Sequence, residues 1–382
     1  MSFMLALPKI SLHGAGAIGD MVNLVAGKQW GKALIVTDGQ LVKMGLLDSL
    51  FTALDAHQMS YHLFDDVFPN PTEALVQKGF QAYQDAHCDY LIAFGGGSPI
   101  DTAKAIKILT ANPGPSTSYS GVGKVKNPGV PLVAINTTAG TAAEMTSNAV
   151  IIDSERQVKE VIIDSNIIPD IAVDDASVML DIPASVTAAT GMDALTHAIE
   201  AFVSVGAHPL TDANALEAIR LITIWLPKAV ENGHSLEARE QMAFGQYLAG
   251  MAFNSAGLGL VHALAHQPGA THNLPHGVCN AILLPIIENF NRPNAVARFV
   301  RVAQAMGVDT RGMSDEAASM AAIKAIRDLS TRVGIPSGFS QLGVTKADIE
   351  GWLDKALADP CAPCNPRTAS RDEVRVLYLE AL

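Results

Sequence analysis

The first half of the chain alternates short apolar runs with stretches of helical periodicity. Lys32–Asp38, Tyr90–Phe94 and Val130–Asn136 have the composition of strands that are buried on both faces, and Tyr61–Phe64 is a weaker candidate strand. Pro71–Ala86 has the pattern of an intervening helix. Because crossovers between parallel strands are right-handed and need such helices, this order predicts a mostly parallel sheet.

Beyond Pro183 the strand signals fade and helical patterns dominate. We therefore predict an α/β N-terminal domain over residues 1–185 and an all-α C-terminal domain over residues 186–382. Without a flexible linker between them, the cleft between the two domains is the expected place for a ligand. The predicted C-terminal helices are Ala184–Val203, Thr211–Asn232, Leu236–Asn254, Gly257–His266, Ala295–Met306, Ser314–Val333, Lys346–Leu357 and Arg371–Leu379.

Composition excludes several classes of protein. Apolar residues make up 49% of the 382 residues and charged residues 17%, so the chain can bury a large core. Its 38 acidic and 26 basic residues give a net charge of −12, which argues against a nucleic-acid surface. The N-terminus lacks a basic region before its short apolar stretch, so we expect no signal peptide and a cytoplasmic protein. The charge-free stretch Gln241–Ile287 is interrupted by polar residues and Pro268, which indicates buried helices rather than a membrane span.

The four cysteines are too few for a disulfide scaffold. Cys88 and Cys279 stand alone, whereas Cys361 and Cys364 form a C-x-x-C pair. No second pair and no histidine near them in the sequence completes a zinc ligand set. The pattern therefore favours reduced thiols in a cytosolic protein.

A run of three glycines, Gly95–Gly97, follows the predicted strand Tyr90–Phe94 directly. Ser98 and Pro99 are residues preferred at the cap and first turn of a helix, so we expect a helix to begin there. The free N–H groups and the positive dipole end of such a helix form a cradle for a pyrophosphate. The alternative is a tight turn that binds nothing.

Asp38, at the end of a predicted strand, strengthens the nucleotide interpretation. An acidic residue in this place accepts hydrogen bonds from a ribose 2′-OH and repels a 2′-phosphate, which favours NAD over NADP. In the common dinucleotide fingerprint, however, the acid follows the glycines by about 20 residues, whereas Asp38 precedes them. We therefore predict no ordinary Rossmann domain. The alternative role for Asp38 is that of a turn residue beside Gly39.

Histidines are concentrated in the charge-free stretch. Four of the 11 histidines lie between His262 and His276, and His262 and His266 are four residues apart, on one helix face. Asp193 and His197 have the same spacing upstream. Neutral imidazoles together with a buried carboxylate are best explained by a metal ion, since an unpaired buried Asp is unfavourable. The lack of a thiolate disfavours a structural zinc site, and the residue types leave Fe(II), Zn(II) and Mn(II) open.

Four sequence blocks are similar to the signature blocks of iron-containing (group III) alcohol dehydrogenases. The resemblance runs essentially from end to end and is closest to the branch with bacterial lactaldehyde reductase, propanediol oxidoreductase and the ethanolamine-utilisation alcohol dehydrogenases. The blocks are GGGSPIDTAK (Gly95–Lys104), NTTAGTAAEMT (Asn136–Thr146), ATGMDALTHAIEAF (Ala189–Phe202) and GLGLVHALAHQPGATHNLPHGVCNAILLP (Gly257–Pro285).

The resemblance implies a nucleotide-binding α/β domain followed by a helical domain, an arrangement shared with dehydroquinate synthases. It implies an oxidoreductase that transfers a hydride between a short-chain primary alcohol or diol and NAD, with Fe2+ as the metal and Zn2+ as the alternative. It also implies a homodimer. The acidic charge balance and the interrupted apolar stretch predict no nucleic-acid and no membrane partner.

The resemblance also assigns residues to roles. The implied metal ligands are Asp193, His197, His262 and His276. His266 is implied to lie close to substrate and nicotinamide, where it could relay a proton. The implied cofactor contacts are Asp38, Gly95, Gly96, Gly97, Ser98, Thr137, Thr138, Thr141, Asn148, Lys159 and Phe253.

The chain departs from this branch at Thr271 and His272, where relatives often carry bulkier aromatic residues, so the preferred alcohol stays open. His272 is expected to be a pocket-wall residue, or one that contacts a metal ligand, rather than a fifth ligand. One alternative function is another NAD- and metal-dependent enzyme of the same fold, a lyase or a polyol dehydrogenase. The cations that bind a phosphorylated acidic substrate are, however, missing from Gln241–Ile287. The other is a mainly structural oligomer, which predicts an exposed apolar face.

Overall fold

A computed structural model describes residues 3–156 and 158–382. The described chain divides into two compact units. The first comprises residues 6–138 and 142–180, and the second comprises residues 181–382 together with 3–5 and 139–141. The predicted domain division at residues 185 and 186 stays a prediction.

The first unit is built on a six-stranded sheet in which every strand pair is parallel, in the order β1-β9-β6-β4-β2-β3. A smaller sheet pairs β8 with β5 in parallel and with β7 antiparallel. The mostly parallel sheet predicted from the sequence is thus confirmed. The strands are β1 (Ile10–His13), β2 (Lys32–Asp38), β3 (Ser60–Val67), β4 (Tyr90–Gly95), β5 (Gly121–Val122), β6 (Leu132–Asn136), β7 (Asn148–Asp153), β8 (Val158–Ile163) and β9 (Ile171–Asp174).

Helices cover both faces of this sheet, which explains why its central strands contain continuous apolar runs. Along β2, Ile35 packs into a core cluster with Val22 and Leu50 on one face, whereas Leu34 packs with Ile106 on the other. Burial of both faces removes the alternation of polar and apolar residues that one-sided strands show. The helices of this unit are α1 (Ala17–Ala26), α2 (Gly39–Lys43), α3 (Asp48–Ala56), α4 (Glu73–Asp85) and α5 (Gly97–Leu109).

Residues 181–382, all of them described, form helices and no strand, so the predicted α/β domain followed by an all-α domain is confirmed. The helices are α6 (Ala184–Val203), α7 (Pro209–Glu231), α8 (Leu236–Ala256), α9 (Leu260–His272), α10 (His276–Asn291), α11 (Val296–Ala305), α12 (Asp315–Arg332), α13 (Lys346–Ile349), α14 (Leu353–Leu357) and α15 (Arg371–Glu380).

Several helix boundaries differ from the sequence prediction, and three differences bear on the candidate site or change the number of helices. Helix α9 begins at Leu260 and passes Pro268 to end at His272. His276, expected in a loop, is the first residue of α10, which follows Pro275 and was not predicted. The single helix expected over Lys346–Leu357 is divided into α13 and α14.

No single helix among the described residues is long and apolar enough to cross a membrane. Helices α8 and α9 together pass the same test of length and composition, but they are bent by 105° at the break between them.

Candidate active site

The glycine loop of the first unit lies at the carboxyl end of β4. Gly95 has φ +146, and a Cβ there would lie 2.6 Å from the Pro99 ring, so the position requires glycine. Helix α5 begins at Gly97 with Gly96 as its N-cap. The prediction that Ser98 caps this helix is therefore wrong, because Ser98 already lies in the first turn. Because the N-cap Gly96 has no side chain, no capping side chain occupies the first N–H groups of the helix.

Asp38 ends β2, the strand that neighbours β4 in the sheet. Its carboxylate therefore lies at the same edge of the sheet as the glycine loop, although it comes earlier in the chain. Oδ1 of Asp38 accepts hydrogen bonds from the backbone N–H groups of Gln40 (2.9 Å) and Leu41 (3.0 Å). Asp38 is thus the N-cap of the short helix α2, a structural role more specific than that of a turn residue.

Two threonines lie beside the glycine loop. The backbone N–H of Thr137 donates to the Gly95 carbonyl at 3.1 Å. A Cβ at Gly96 would lie 3.0 Å from Oγ1 of Thr138, so the Thr138 side chain lies close against the backbone of Gly96. The predicted cofactor contacts Asp38, Thr137 and Thr138 are thus placed around the glycines.

The remaining predicted cofactor contacts lie elsewhere. Asn148 and Lys159 belong to β7 and β8 of the smaller sheet. Thr141 and Phe253 belong to the second unit, where the Phe253 ring stacks on His197 at 4.4 Å between ring centres.

In the second unit, three predicted metal ligands converge. Asp193 lies on α6, His262 on α9 and His276 at the start of α10. Oδ1 of Asp193 lies 3.8 Å from Nε2 of His262 and 3.6 Å from Nε2 of His276. Asp193 and His262 are each only 2% exposed. Three helices distant in sequence thus direct one oxygen and two nitrogens at a common point.

The fourth predicted ligand, His197, lies beside this group but its ring nitrogens are not part of it. Its ring stacks on His262 at 4.6 Å between ring centres, with an interplanar angle of 22°. Burial is the main reason why the pKa of His197 falls to about 4. The ring is therefore neutral at physiological pH, the form in which an imidazole binds a metal.

Asn280, one turn after His276 on α10, was not predicted as a site residue. Its Nδ2 lies 2.6 Å from Oδ1 of Asp193, 3.0 Å from Nε2 of His262 and 3.1 Å from Nε2 of His276. An amide has two hydrogens for these three acceptors. The buried Oδ1 of Asn280 has no hydrogen-bond partner among the described residues. The spacing of four residues would have indicated Asn280, had α10 been predicted.

The donor set fits a divalent cation. Two ligands about 2.1 Å from a tetrahedral ion lie about 3.4 Å apart, close to the separations of Asp193 from the two imidazoles. No Lys or Arg among the described residues pairs with Asp193, whose recorded ion pairs are with histidines. Although burial would raise its pKa, the three neighbouring imidazoles and the Asn280 amide hold the pKa of Asp193 below its usual range. One carboxylate with imidazoles and no thiolate suits Fe2+, Mn2+ or Zn2+.

Glu200 is a second residue that the sequence analysis missed. On α6 it lies three residues after His197, which itself lies four residues after Asp193. This polar stripe on an apolar helix is the signal that could have found Glu200. Oε2 of Glu200 lies 2.5 Å from Nδ1 of His262. Although burial alone would lower it, Glu200 and Asp193 hold the pKa of His262 above its usual value.

His266 lies one turn after His262 on α9, and a carboxylate holds its Nδ1. Its Nδ1 lies 2.8 Å from Oδ2 of Asp359. Its ring stacks on His276 at 5.4 Å between centres. Asp359 was not predicted, because no local pattern connects two residues 93 positions apart.

The C-x-x-C pair also has surroundings that differ from the sequence expectation. Cys361 offers its sulfur within 4.8 Å of ligand atoms of His266 and Asp359, so a histidine does lie near the pair in space. Burial and the Asp359 carboxylate raise the pKa of the Cys361 thiol well above its usual value, which keeps it protonated. Cys361 and Cys364 are both free thiols.

His272, at the end of α9, does not belong to the group formed by Asp193, His262 and His276 either. Its Nε2 lies 3.7 Å from Oδ2 of Asp348, and its ring packs edge-on against Trp352.

Comparison with known proteins matches the chain to two family models, "Iron-containing alcohol dehydrogenase" over residues 8–176 and "Fe-containing alcohol dehydrogenase family, C-terminal" over residues 187–382. The NAD-dependent methanol dehydrogenase of Bacillus methanolicus is 44% identical, with 98% of this chain and 99% of that protein covered. The lactaldehyde reductase of Escherichia coli is 43% identical, with 99% of each covered.

Among solved structures, the alcohol dehydrogenase from Oenococcus oeni superposes with a TM-score of 0.98 at 38% identity, and all of both chains is covered. The family resemblance predicted from the sequence blocks is confirmed. With two family models that together span nearly its whole length, the chain belongs to the iron-containing alcohol dehydrogenases.

Proposed function

We propose that this chain interconverts a short-chain primary alcohol or diol and the corresponding aldehyde, with NAD as the hydride carrier and a divalent metal, Fe2+ or alternatively Zn2+. The convergence of Asp193, His262 and His276 is the observation that carries the proposal. We assign His197 as the fourth ligand, because it lies one turn from Asp193 and stacks on His262 as a neutral ring. The names of relatives that oxidise methanol or reduce lactaldehyde support this reaction class.

The chemistry divides between the bound groups and the chain. When bound, the metal supplies a Lewis acid that lowers the pKa of an alcohol or polarises a carbonyl. The chain supplies the proton path through His266, which lies beside the ligand His276 and is held at Nδ1 by Asp359. A proton held at Nε2 of His266 can pass to or from the substrate oxygen, the role of a general acid or base.

The nucleotide is assigned to the first unit. The N-terminus of α5 behind Gly95, Gly96, Gly97 and Ser98 offers N–H groups to a pyrophosphate. Asp38 at the neighbouring strand end fits a ribose with two free hydroxyls, which supports NAD. The other proposed contacts are Thr137, Thr138, Thr141, Asn148, Lys159 and Phe253.

The test is the formation of NADH by enzyme loaded anaerobically with Fe2+ and given NAD and a panel of short primary alcohols and diols. We expect NADH with at least one of them, and none from His262→Ala, which should lose metal and activity together. His272→Ala is the matched control for metal content, since this histidine shares helix α9 but lies outside the group formed by Asp193, His262 and His276. Absence of NADH across the whole panel with metal-replete protein would contradict the proposal.

We also propose that the enzyme acts as a homodimer in the cytoplasm. Large apolar side chains are exposed in the second unit, among them Phe3, Met4, Val205 and Leu210. The Phe3 ring packs against His208, a residue that lies between Val205 and Leu210 in the sequence. The four free thiols fit a reducing compartment. Size-exclusion chromatography with light scattering measures the mass, and a monomer at micromolar concentration would contradict the dimer.

A further inference from the structure

The buried carboxylate of Glu200 makes two hydrogen bonds to the start of helix α9. Glu200 lies on α6 and is only 1% exposed. Its Oε1 accepts the backbone N–H of Val261 at 2.7 Å, and its Oε2 lies 2.5 Å from Nδ1 of His262. The two oxygens thus have different partners on adjacent residues.

The first bond anchors a helix that has no cap of its own. Gly259, the N-cap of α9, has no side chain to bond the free N–H groups of the first turn. Two distant side chains replace it: Oδ1 of Asn365 accepts from Leu260 at 3.1 Å, and Glu200 accepts from Val261. Anchoring α9 alone would need only one oxygen of Glu200.

We propose that the second oxygen makes Glu200 the positioning residue of the metal site, which holds His262 with its proton on Nδ1 and its Nε2 lone pair directed at Asp193 and His276. A carboxylate behind a ligating histidine fixes the ring's tautomer and orientation and makes it a better ligand. The inference rests on the metal site proposed above and adds to it a residue that does not itself ligate.

A glutamine at this position would reverse the arrangement. Because the Val261 N–H is a donor, the side-chain oxygen of Gln must keep facing it, so the amide N–H₂ must face His262. A donor at Nδ1 forces the ring proton onto Nε2 and removes the lone pair that binds metal. Glu200→Gln therefore retains the shape and the helix anchor but inverts the tautomer.

A neighbouring buried acid provides the matched control. Glu288 on α10 is fully buried, and its recorded hydrogen bond is with Nδ2 of Asn291 at 3.1 Å. Burial, together with the neighbouring Glu200, raises the pKa of Glu288 to about 8, so at pH 7 it is already mostly neutral. Glu288→Gln therefore makes the same chemical change nearby without changing what faces His262.

The experiment measures Co2+ and Zn2+ affinity of the full-length chain at pH 7 by competition with a chelating dye, and records the visible spectrum of the Co2+ form. Wild type, Glu200→Gln, Glu200→Asp and Glu288→Gln are compared, with a denaturant midpoint for each. We expect Glu200→Gln to lose about 10- to 100-fold in affinity with an altered Co2+ spectrum. Glu288→Gln should stay within about twofold of wild type.

Glu200→Asp separates the positioning of His262 from an effect on folding, because aspartate keeps a hydrogen-bond acceptor for the ring. This variant should bind Co2+ more tightly than Glu200→Gln. The inference is overturned if Glu200→Gln binds like wild type, if Glu288→Gln weakens binding equally, or if the aspartate variant binds no better than the glutamine variant. If wild type bound neither ion, the proposed metal site itself would fail first, and the inference with it.

Discussion

Nδ1 of His266 and Oδ2 of Asp359 lie 2.8 Å apart, although 93 residues separate them in the chain. The second oxygen of Asp359 accepts the backbone N–H of Cys361 at 2.9 Å, so the carboxylate is fixed from both sides. A histidine held in this way keeps a single ring orientation, which a proton relay requires.

We therefore expect Asp359→Asn to keep its metal but to turn over more slowly, by about 10-fold, and His266→Ala to lose about 100-fold. Because the two residues act as one unit, the double variant should be no slower than His266→Ala alone. Metal content and kcat are the measurements. Loss of metal from Asp359→Asn would show that the carboxylate supports the metal site instead.

Asp38 combines a helix cap with the proposed ribose contact, and the two roles can be separated. Asn keeps the oxygen that accepts from Gln40 and Leu41 but has no charge, whereas Ala loses both. Removing the charge that repels a 2′-phosphate should raise the ratio of kcat/KM for NADP over NAD by about tenfold or more, equal to ~1.4 kcal/mol.

We expect both variants to show the raised NADP-to-NAD ratio. Asp38→Asn should keep the stability of wild type, whereas Asp38→Ala should be less stable because it loses the helix cap. Asp48→Asn, an exposed acid in the first turn of α3, serves as the charge control. An unchanged ratio in Asp38→Asn would exclude Asp38 from the ribose site.

Lys104 is a fully buried cation in the first unit. Its Nζ donates to the Asn148 carbonyl at 2.8 Å and to Oγ1 of Thr146 at 3.2 Å. Burial lowers its pKa to about 8 despite the nearby Asp101 and Glu144. Since these bonds hold the start of β7, they also place Asn148, a proposed cofactor contact.

Lys104→Met should therefore lower the free energy of unfolding by about 2–3 kcal/mol and also raise KM for NAD. Lys107→Met is the matched control on the same helix, since Lys107 is buried as well but pairs with Asp170 at 3.0 Å. It should destabilise the chain and leave KM for NAD near the wild-type value. Equal KM values in the two variants would refute the positioning role of Lys104.

The parts of the fold that the sequence predicts are those with a strong local signal. Strand β2 begins and ends at the predicted residues because burial on both faces gives it the continuous apolar run Ala33–Val36. Strands β1 and β9 have four residues each and were missed, because such short runs show no periodicity. Strands β7 and β8 were missed as well, since each is only partly buried.

The candidate site shows the same limit. Spacings of four residues on one helix revealed Asp193 with His197 and His262 with His266, because a helix places such pairs on one face. Because His276 follows a proline, the sequence pattern predicts a loop there and does not indicate its helical neighbour Asn280. Partners such as Asp359 come from distant segments, and only the tertiary structure brings them to the site.

The last prediction concerns the stability of the second unit at different pH values. Burial, together with the neighbouring Glu200, raises the pKa of Glu288 from 4.5 to about 8 in the folded chain. Between these values the folded state holds a proton that the unfolded state has released. The contribution of Glu288 to the free energy of unfolding therefore falls as the pH rises from about 4.5 to 8.

Glu288→Gln removes this titration. It should match wild type within about 1 kcal/mol near pH 5 and become more stable than wild type by on the order of 2–4 kcal/mol near pH 8.5. Urea denaturation midpoints of the two proteins at both pH values measure the difference, and the exposed Glu237→Gln is the control. A difference between Glu288→Gln and wild type that does not grow with pH would show that Glu288 titrates at an ordinary carboxyl pKa in the folded chain.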